Sequence, residues 1–495
     1  MQYNSRFMQG GFCLEAKPQP CGFILFGASG DLAARKIIPS LFGLYRRGLL
    51  RNFWLLGAAR SPLSNEQFRE KVRALAAPLA ADGKQTEDFL SRVFYEQGRY
   101  DDKAFYERLF AREQQIRRTF AAPSNRIIHF ATPPEIFTDI ANGLAEANLA
   151  CEAEGFCRFV LEKPFGRNRE NSRALAKLLA EKFGEDRIYR IDHYLGKETV
   201  QNIMMLRFAN SVFEPLWNAA SVESVQITAA ETLGVENRAG YFEKNGTLLD
   251  MFQSHMLRLM AVVAMEPPKD FQAESLRDET VRALKTVLPP EPKNVVLGQY
   301  DEGALNGKPL IAYRQERGVA KNSQSETFVA AKLFIDNPRW RGVPFYLRTG
   351  KRLPEKSTKI ILTLKPSVFT VFPGGNRCFQ NTVTLNIEPE EGASITLNVK
   401  LPGPKLCTEI VPMTLRYAEA GNMPSAYERL LLDAVIGDQS LFVRSDNMDT
   451  AWALTDPLLE AKAKGGLRVQ PYPAGTWGPR DAQELPHDGW TGYDS

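Results

Sequence analysis

At 495 residues the chain is too long for one ordinary hydrophobic core, and two domains are expected. Its 44% hydrophobic and 24% charged content is that of a globular protein, and a net charge of +4 over well-mixed residues argues against a nucleic-acid partner while suiting an anionic small ligand. The six cysteines, Cys13, Cys21, Cys151, Cys157, Cys378 and Cys407, form no CxxC pair and no metal-ligand spacing. They read as reduced, mostly buried thiols of a cytoplasmic protein, and no apolar run is long enough for a signal peptide or a membrane span.

Residues 1–20 read as a loosely ordered extension before the first strand. Gly22–Phe26 is wholly apolar, as for a parallel strand buried on both faces. A Gly27-Ala-Ser-Gly30 turn follows, then a helical pattern through Arg47 that Pro39 is expected to kink. A second buried strand covers Phe53–Gly57. Amphipathic spacing predicts helices over Asn65–Leu75, Asp101–Arg117 and Asn168–Phe183, and strands fit Arg126–Phe130, Arg158–Leu161 and Ile188–Ile191. This alternation predicts a Rossmann-like doubly wound parallel sheet domain (α/β) over residues 21–192.

Beyond that point apolar and polar residues alternate, over Val222–Ala229, Thr327–Ile335, Lys359–Leu364, Asn381–Ile387 and Ser394–Lys400. The pattern predicts an α+β domain over 193–495 built on a large, mostly antiparallel sheet. Leu248–Met265 reads as an apolar helix interrupted by Asp250, Gln253, His255 and Arg258. Pro and Gly near Leu401–Pro404 and from Tyr472 onward read as turns and a terminal tail.

Gly27, Ala28, Ser29, Gly30, Asp31 and Leu32 lie between a buried strand and a helix, where backbone N–H groups can hold a dinucleotide pyrophosphate. The spacing is GxxGxxA rather than GxGxxG. At the end of the second strand, where a carboxylate would grip a ribose 2′-OH, stands Arg60, whose guanidinium suits a 2′-phosphate. The expected cofactor is therefore NADP. Lys163, in Glu162-Lys-Pro-Phe-Gly166, is unneutralised in sequence and sits at the carboxyl end of a strand, facing the ligand crevice. Arg190-Ile-Asp-His-Tyr-Leu-Gly-Lys-Glu198 concentrates cations, carboxylates, an imidazole and a phenol. If a helix follows Asp192, His193 and Lys197 lie one turn apart as a pair of donors for a phosphate dianion, leaving Asp192 for another partner. His129 reads as structural and His487 as solvated.

Together these segments resemble the glucose-6-phosphate dehydrogenases from about Cys21 to Trp490. The resemblance is carried by Gly27–Ala33, Glu162–Gly166, Arg190–Glu198 and Leu249-Asp-Met-Phe-Gln-Ser-His255, with Arg238–Tyr241, Trp340–Phe345, Arg348–Arg352 and Trp477–Pro479 in support. It implies oxidation of β-D-glucose 6-phosphate at C1 to 6-phosphogluconolactone, with hydride passing to NADP⁺. It implies His255 as general base and Asp192 as its carboxylate partner, the arrangement of other His–Asp pairs. His193, Tyr194 and Lys197 would bind the 6-phosphate. Lys36, Lys163, Lys351 and Lys356 would line sugar or cofactor, and Glu231 and Asp250 would accept from sugar hydroxyls. A homodimer or homotetramer joined through the large sheet is also implied. Two other readings stay open on sequence: a sugar oxidoreductase of the inositol-dehydrogenase type, and a non-catalytic sugar-phosphate sensor.

Overall fold

The computed structural model describes residues 18–50, 52–80, 82–120, 124–150, 155–366, 380–404, 407–417 and 424–492. All but the last three residues of the expected N-terminal extension lie outside these, as do Cys13, Cys151 and Cys378. Of the described cysteines, Cys21 and Cys157 are buried and Cys407 is exposed, and none forms a disulfide with another described cysteine.

Gly22–Phe26 (β1), Trp54–Ala59 (β2), Val93–Gln97 (β3), Arg126–Phe130 (β4), Cys157–Leu161 (β5) and Ile188–Ile191 (β6) form a parallel sheet in the order 3-2-1-4-5-6. Every residue of β1, β2, β4 and β6 is buried, which is why β1 and β2 are apolar without alternation; β4 and β6 also bury Arg126, His129 and Arg190, each bonded to a carboxylate. Helices Asn65–Ala76, Lys103–Phe120 and Arg169–Phe183 stand close to the expected bounds. Ser64 and Asn168 cap the first and third of these by accepting backbone N–H groups of the first turn. The helices Gly83–Ser91 and Phe137–Glu146 and the edge strand β3 are additions. The helical run is continuous from Asp31 to Arg46, and just before Pro39 it widens into a π-helical turn over Ala33–Ile37 before the α-helix Ile38–Arg46, an irregularity at the place where Pro39 lacks an N–H.

The second sheet uses Val222–Ala230 (β7) and Val295–Asp301 (β8), the latter leading into a small hairpin of Gly303–Leu305 (β9) and Lys308–Leu310 (β10). It continues with Phe328–Phe334 (β11), Pro344–Gly350 (β12), Ser357–Leu364 (β13), Thr382–Glu388 (β14), Gly392–Lys400 (β15) and Thr408–Arg416 (β16). Phe442–Val443 (β17) returns to the first sheet, antiparallel to β6, and Val469–Pro473 (β18) closes the second, whose order is 16-15-14-13-7-12-11-8-18. Only the β7/β12 and β8/β18 pairs are parallel. Helices Glu198–Phe208, Leu257–Ala264 and Ala273–Lys285 contribute to the core that covers one face. Trp217 and Trp340 are buried there and donate their indole N–H groups to the Val263 and Ala264 carbonyls at 2.8 Å, so neither leaves a polar atom unpaired.

The expected terminal tail packs into a separate cluster on the second sheet, with Tyr300, Tyr313, Phe328 and Tyr346. Tyr472 is 1% exposed and its hydroxyl donates to the Lys351 carbonyl at 2.6 Å, while Trp490 packs edge-on against Tyr346. Proline and glycine there shape a strand and turns rather than a loose end.

Candidate active site

Two segments meet at the junction of the sheets. The first leaves β6, which is pinned on one side by β5 and on the other by β17, with Phe442 opposite Ile191. Arg190, 1% exposed, holds Glu185 through both its terminal nitrogens at 2.6 and 2.9 Å. The chain then turns instead of entering a helix. Leu195 N–H donates to Asp192 O and Lys197 N–H to Tyr194 O, and the helix begins only at Glu198. The expected one-turn helical spacing of His193 and Lys197 is therefore corrected. The Asp192 carboxylate accepts the Tyr194 N–H at 3.1 Å, a local bond that competes with helix entry.

The second segment is Leu248–Met256, which is π-helical where an unbroken α-helix over 248–265 was expected. It starts after Gly246, at φ +58°, where an added Cβ would meet Glu326 Oε1 at 2.1 Å. Glu326 accepts the Leu248 N–H at 3.0 Å, holding negative charge at the helix start. The wide pitch has a chemical consequence. Residues five apart point about 140° away from one another in an α-helix of 3.6 residues per turn, whereas an i→i+5 turn stacks them. Asp250 and His255 thus share a face, and Lys163 touches both.

His255 is fully buried and Asp192 is 2% exposed. His255 Nδ1 lies 2.5 Å from Asp192 Oδ1, and Lys163 Nζ donates to His255 Nε2 at 2.7 Å, a pattern that assigns the imidazole proton to Nδ1 and the lone pair to Nε2. Lys163 also donates to the Asp250 carbonyl at 2.8 Å and to its carboxylate at 3.2 Å. The lysine is therefore not unneutralised, as its sequence neighbours suggested; its counter-charge comes from the other half of the chain. Burial alone would raise the Asp192 carboxyl, but its pairing with His255 and the charge of Arg258 outweigh it and hold the group below the usual carboxylate range. Burial likewise opposes ionisation of Asp250, and Lys163, Arg238 and Lys351 overcome it. Burial lowers the His255 pKa, against the pull of Asp192, and drives His193 well below its ordinary value. Both shifts favour the neutral imidazole.

Around this pair the Tyr194 ring stacks on His255 with centroids 4.3 Å apart, and His193 meets it edge-on at 4.6 Å. Lys197 Nζ lies 4.5 Å from the Tyr194 centroid and 3.0 Å from Glu388, to which Lys356 also donates at 2.8 Å. Lys351 pairs with Glu231. Asp192, His193 and His255 bring ligand-type atoms within 4.8 Å of one another. The lone pairs a cation would need are already taken by Lys163 on His255 and by Arg258, 3.0 Å away, on Asp192. These bonds suit the pair to moving a proton between His255 and a ligand at Nε2.

The glycine turn opens at the carboxyl end of β1. Gly27 has φ +79°, and a Cβ there would meet Ala131 O at 2.2 Å, so the turn admits only glycine. Ala28 is buried, while Ser29, Gly30 and Asp31 are exposed at the helix start and Leu32 is half-buried. Ser29 and Ser61 hydroxyls lie 2.8 Å apart, tying the turn to the end of β2, where Arg60 is exposed. Lys36 stands exposed in the π-helical turn that follows. A cradle closed to a Cβ, with a cation at the second strand end, fits a dinucleotide.

Three partners escaped the sequence: Arg258, Tyr241 and Glu388. Arg258 and Asp250 interrupt the same apolar helix pattern, and that interruption was the available signal for Arg258. Tyr241 donates to Asp250 at 3.2 Å, and nothing local marks Glu388. His129 is buried and bonded to Glu162 at 3.1 Å, whose other oxygen takes the Tyr427 hydroxyl at 3.2 Å, bracing the strand end before Lys163.

A family model for the NAD binding domain of glucose-6-phosphate dehydrogenase matches residues 24–202, and one for its C-terminal domain matches residues 204–491. Glucose-6-phosphate 1-dehydrogenase of Aggregatibacter actinomycetemcomitans is 43% identical over 477 residues, 95% of this chain and 96% of that protein. The Bacillus subtilis (strain 168) protein of the same name is 40% identical, covering 93% and 96%. A solved glucose-6-phosphate dehydrogenase in complex with its substrate glucose-6-phosphate superposes with a TM-score of 0.90 at 35% identity, over 97% of this chain and 100% of that one. The Mycobacterium avium structure gives 0.82 at 32% identity, over 96% and 99%. Continuous matching across both halves, in sequence and in three dimensions, means that this chain belongs to the glucose-6-phosphate dehydrogenase family.

Proposed function

We propose that the protein oxidises β-D-glucose 6-phosphate at C1 to 6-phosphoglucono-1,5-lactone using NADP⁺, the first oxidative step of the pentose phosphate pathway. The observation that carries this reading is the buried Asp192–His255 pair with the His255 Nε2 lone pair facing Lys163. Nε2 takes the C1 hydroxyl proton. Asp192 holds the Nδ1–H tautomer and stabilises the imidazolium that forms. To reach Nε2 the hydroxyl displaces the Lys163 ammonium, which keeps its bonds to Asp250. When bound, the nicotinamide dinucleotide accepts the hydride from C1. Gly27, Ala28, Ser29, Gly30, Asp31 and Leu32 would hold its pyrophosphate, Arg60 its 2′-phosphate, and Lys163 its reacting end.

His193, Tyr194 and Lys197 bind the 6-phosphate, and Lys36, Lys351, Lys356, Glu231 and Asp250 serve the sugar. Glu388 already supplies an anion to Lys197 and Lys356, so a phosphate enters by sharing or replacing a carboxylate. The row of exposed apolar side chains on β15 and β16, among them Ile410, Met413 and Leu415 at 53%, 60% and 54% exposure, supports a homodimer or homotetramer formed through the large sheet. Free thiols in the described residues support a cytoplasmic protein, and no helix among them is long and apolar enough to cross a membrane.

The test is initial-rate kinetics with glucose 6-phosphate against glucose, and with NADP against NAD, repeated for Arg60→Asp. The expected result is strong preference for the phosphate ester, and a loss of NADP use in the variant far exceeding any loss of NAD use. Preference for unphosphorylated sugar would reject the substrate, and equal losses with both cofactors would reject the role of Arg60.

A further inference from the structure

We infer that Arg258 is a positioning residue of the proton-transfer pair: it fixes the second oxygen of Asp192, so that the first is held on the imidazole. The inference rests on His255 being the base, and goes beyond that by assigning work to a residue whose bonds go to Asp192 and to the Ser254 carbonyl.

Arg258 is 3% exposed and Asp192 2% exposed. Nη1 donates to Asp192 Oδ2 at 3.0 Å and also to the Ser254 carbonyl, one turn earlier on the segment that carries His255. The carboxylate is thus tied at both oxygens to a single stretch of chain: Oδ1 to residue 255 and Oδ2 to residue 258. A carboxylate held at one oxygen alone can swing about its Cβ–Cγ bond and offer His255 either oxygen or neither. The bond through Oδ2, with the Tyr194 N–H on Oδ1, removes that freedom. Arg258 lines a cavity on the Asp192 side, with Lys163, Tyr241 and Gln253, and a second one on its far side, with Met204, Met265 and Phe442. The guanidinium stands in the wall between them.

Charge gives Arg258 a second effect. One guanidinium, one carboxylate and a neutral imidazole sum to zero, and proton transfer to His255 leaves the trio at +1. Removing the guanidinium while keeping the carboxylate makes the same protonation neutralising, so the pair binds a proton more readily. The other charged and titratable groups facing the trio are Lys163 beyond β5, His193 and the stacked Tyr194 in the turn after β6, Tyr427 on the helix Ala426–Ile436, and Asp250 on the helix of His255 with its partners Arg238 and Lys351. On the far side are Arg277 and Arg444, whose charges are matched by Glu274, Asp278 and Asp446. None of them bonds Asp192 Oδ2.

The test compares Arg258→Gln and Arg258→Lys with the parent protein, reading kcat, KM for glucose 6-phosphate, the acid limb of the kcat/KM profile and Tm. Arg258→Gln is expected to lower kcat about 10²-fold with KM within a few-fold, and to move the acid limb up by about one pH unit. Arg258→Lys keeps the charge and loses the planar fork, so it should return the limb toward its original pH while kcat stays reduced. An unmoved limb in Arg258→Gln at unchanged Tm overturns the inference, as does a fall in kcat that tracks Tm equally in both variants. Should Arg258→Gln not fold, a limb shifted upward in Arg258→Lys overturns it and an unshifted one with lowered kcat supports it. His255→Asn run alongside separates the two readings. If it is inactive while Arg258→Gln is normal, only the positioning role fails; if it is active, the base itself is wrong.

Discussion

Asp192 and His255 have side chains 2% and 0% exposed, whereas Lys356 is 59% exposed and the Glu388 carboxylate it shares with Lys197 is 32% exposed. Both groupings are built around carboxylates and cations, and both draw on the short segment from Asp192 to Lys197. Burial makes them different devices. At the closed end, desolvation is large enough to decide which groups ionise, and each charge survives only because a partner is fixed against it. At the open end water screens the charges, and an ion pair such as Lys356–Glu388 contributes only about 0–1 kcal/mol. The closed end is organised before substrate arrives; the open end is remade when it does. The proposed function accordingly assigns chemistry to the first and affinity to the second.

The largest expected effect comes from Asp192→Asn. The amide keeps the shape but can favour the wrong imidazole tautomer, and kcat should fall about 10²–10⁴-fold with KM little changed. A loss confined to KM would erase the distinction between the two ends. Next is Lys197→Ala, which removes a charge-assisted contact of about 1.5–3 kcal/mol and should raise KM for glucose 6-phosphate roughly 10–100-fold at nearly constant kcat. The same reasoning makes KM, and not kcat, climb between low and moderate ionic strength. Salt-sensitive kcat would show that the closed end is not shielded.

A smaller effect concerns stability in acid. The pKa values of His193 and His255 are lower in the folded protein than in the unfolded chain. The unfolded chain therefore takes up protons first as pH falls below about 6.5, and stability drops from there. Asp192 and Asp250 are held below their ordinary values, so their contribution is present above the usual carboxylate range and is lost as pH falls through and below it. Thermal melts should show Tm declining from pH 6.5 to 5 and falling further below 4. A flat Tm between pH 7 and 5 would mean the imidazoles are less enclosed than their contacts imply.

The sequence disclosed the parallel sheet well because its strands are buried on both faces and interrupted by turns with distinctive residues. β12 and β16 were harder to see. The first begins at Pro344 and is buried on both faces, so its residues do not alternate, and the second contains Pro412 and is exposed along its whole length, so it has no covered apolar face to detect. In the site, the residues that stand in short conspicuous runs were legible: Gly27–Leu32, Lys163, Asp192–Lys197 and His255. The state of those residues was not. Lys163 acquires Asp250 from 87 residues away, Lys197 acquires Glu388 from 191 residues away, and Lys351 is steadied by the Tyr472 hydroxyl. The π-helical pitch that puts Asp250 and His255 on one face also left no mark in an apolar pattern that an α-helix fits equally well. Composition and spacing report which chemistry is available, while pairing and pitch depend on contacts made only after both sheets have formed.

His255 Nε2, as the atom proposed to take the C1 proton, is the centre of the proposed reaction. Single-turnover and steady-state kinetics of His255→Asn, at saturating glucose 6-phosphate and NADP, test this directly. The expected result is a fall in the rate of hydride transfer of about 10²–10⁴-fold, with KM for the sugar phosphate within a few-fold of the parent because Lys197 and its neighbours are untouched. Hydride transfer at near-normal rate in that variant would contradict the assignment of the buried pair as the centre of the reaction.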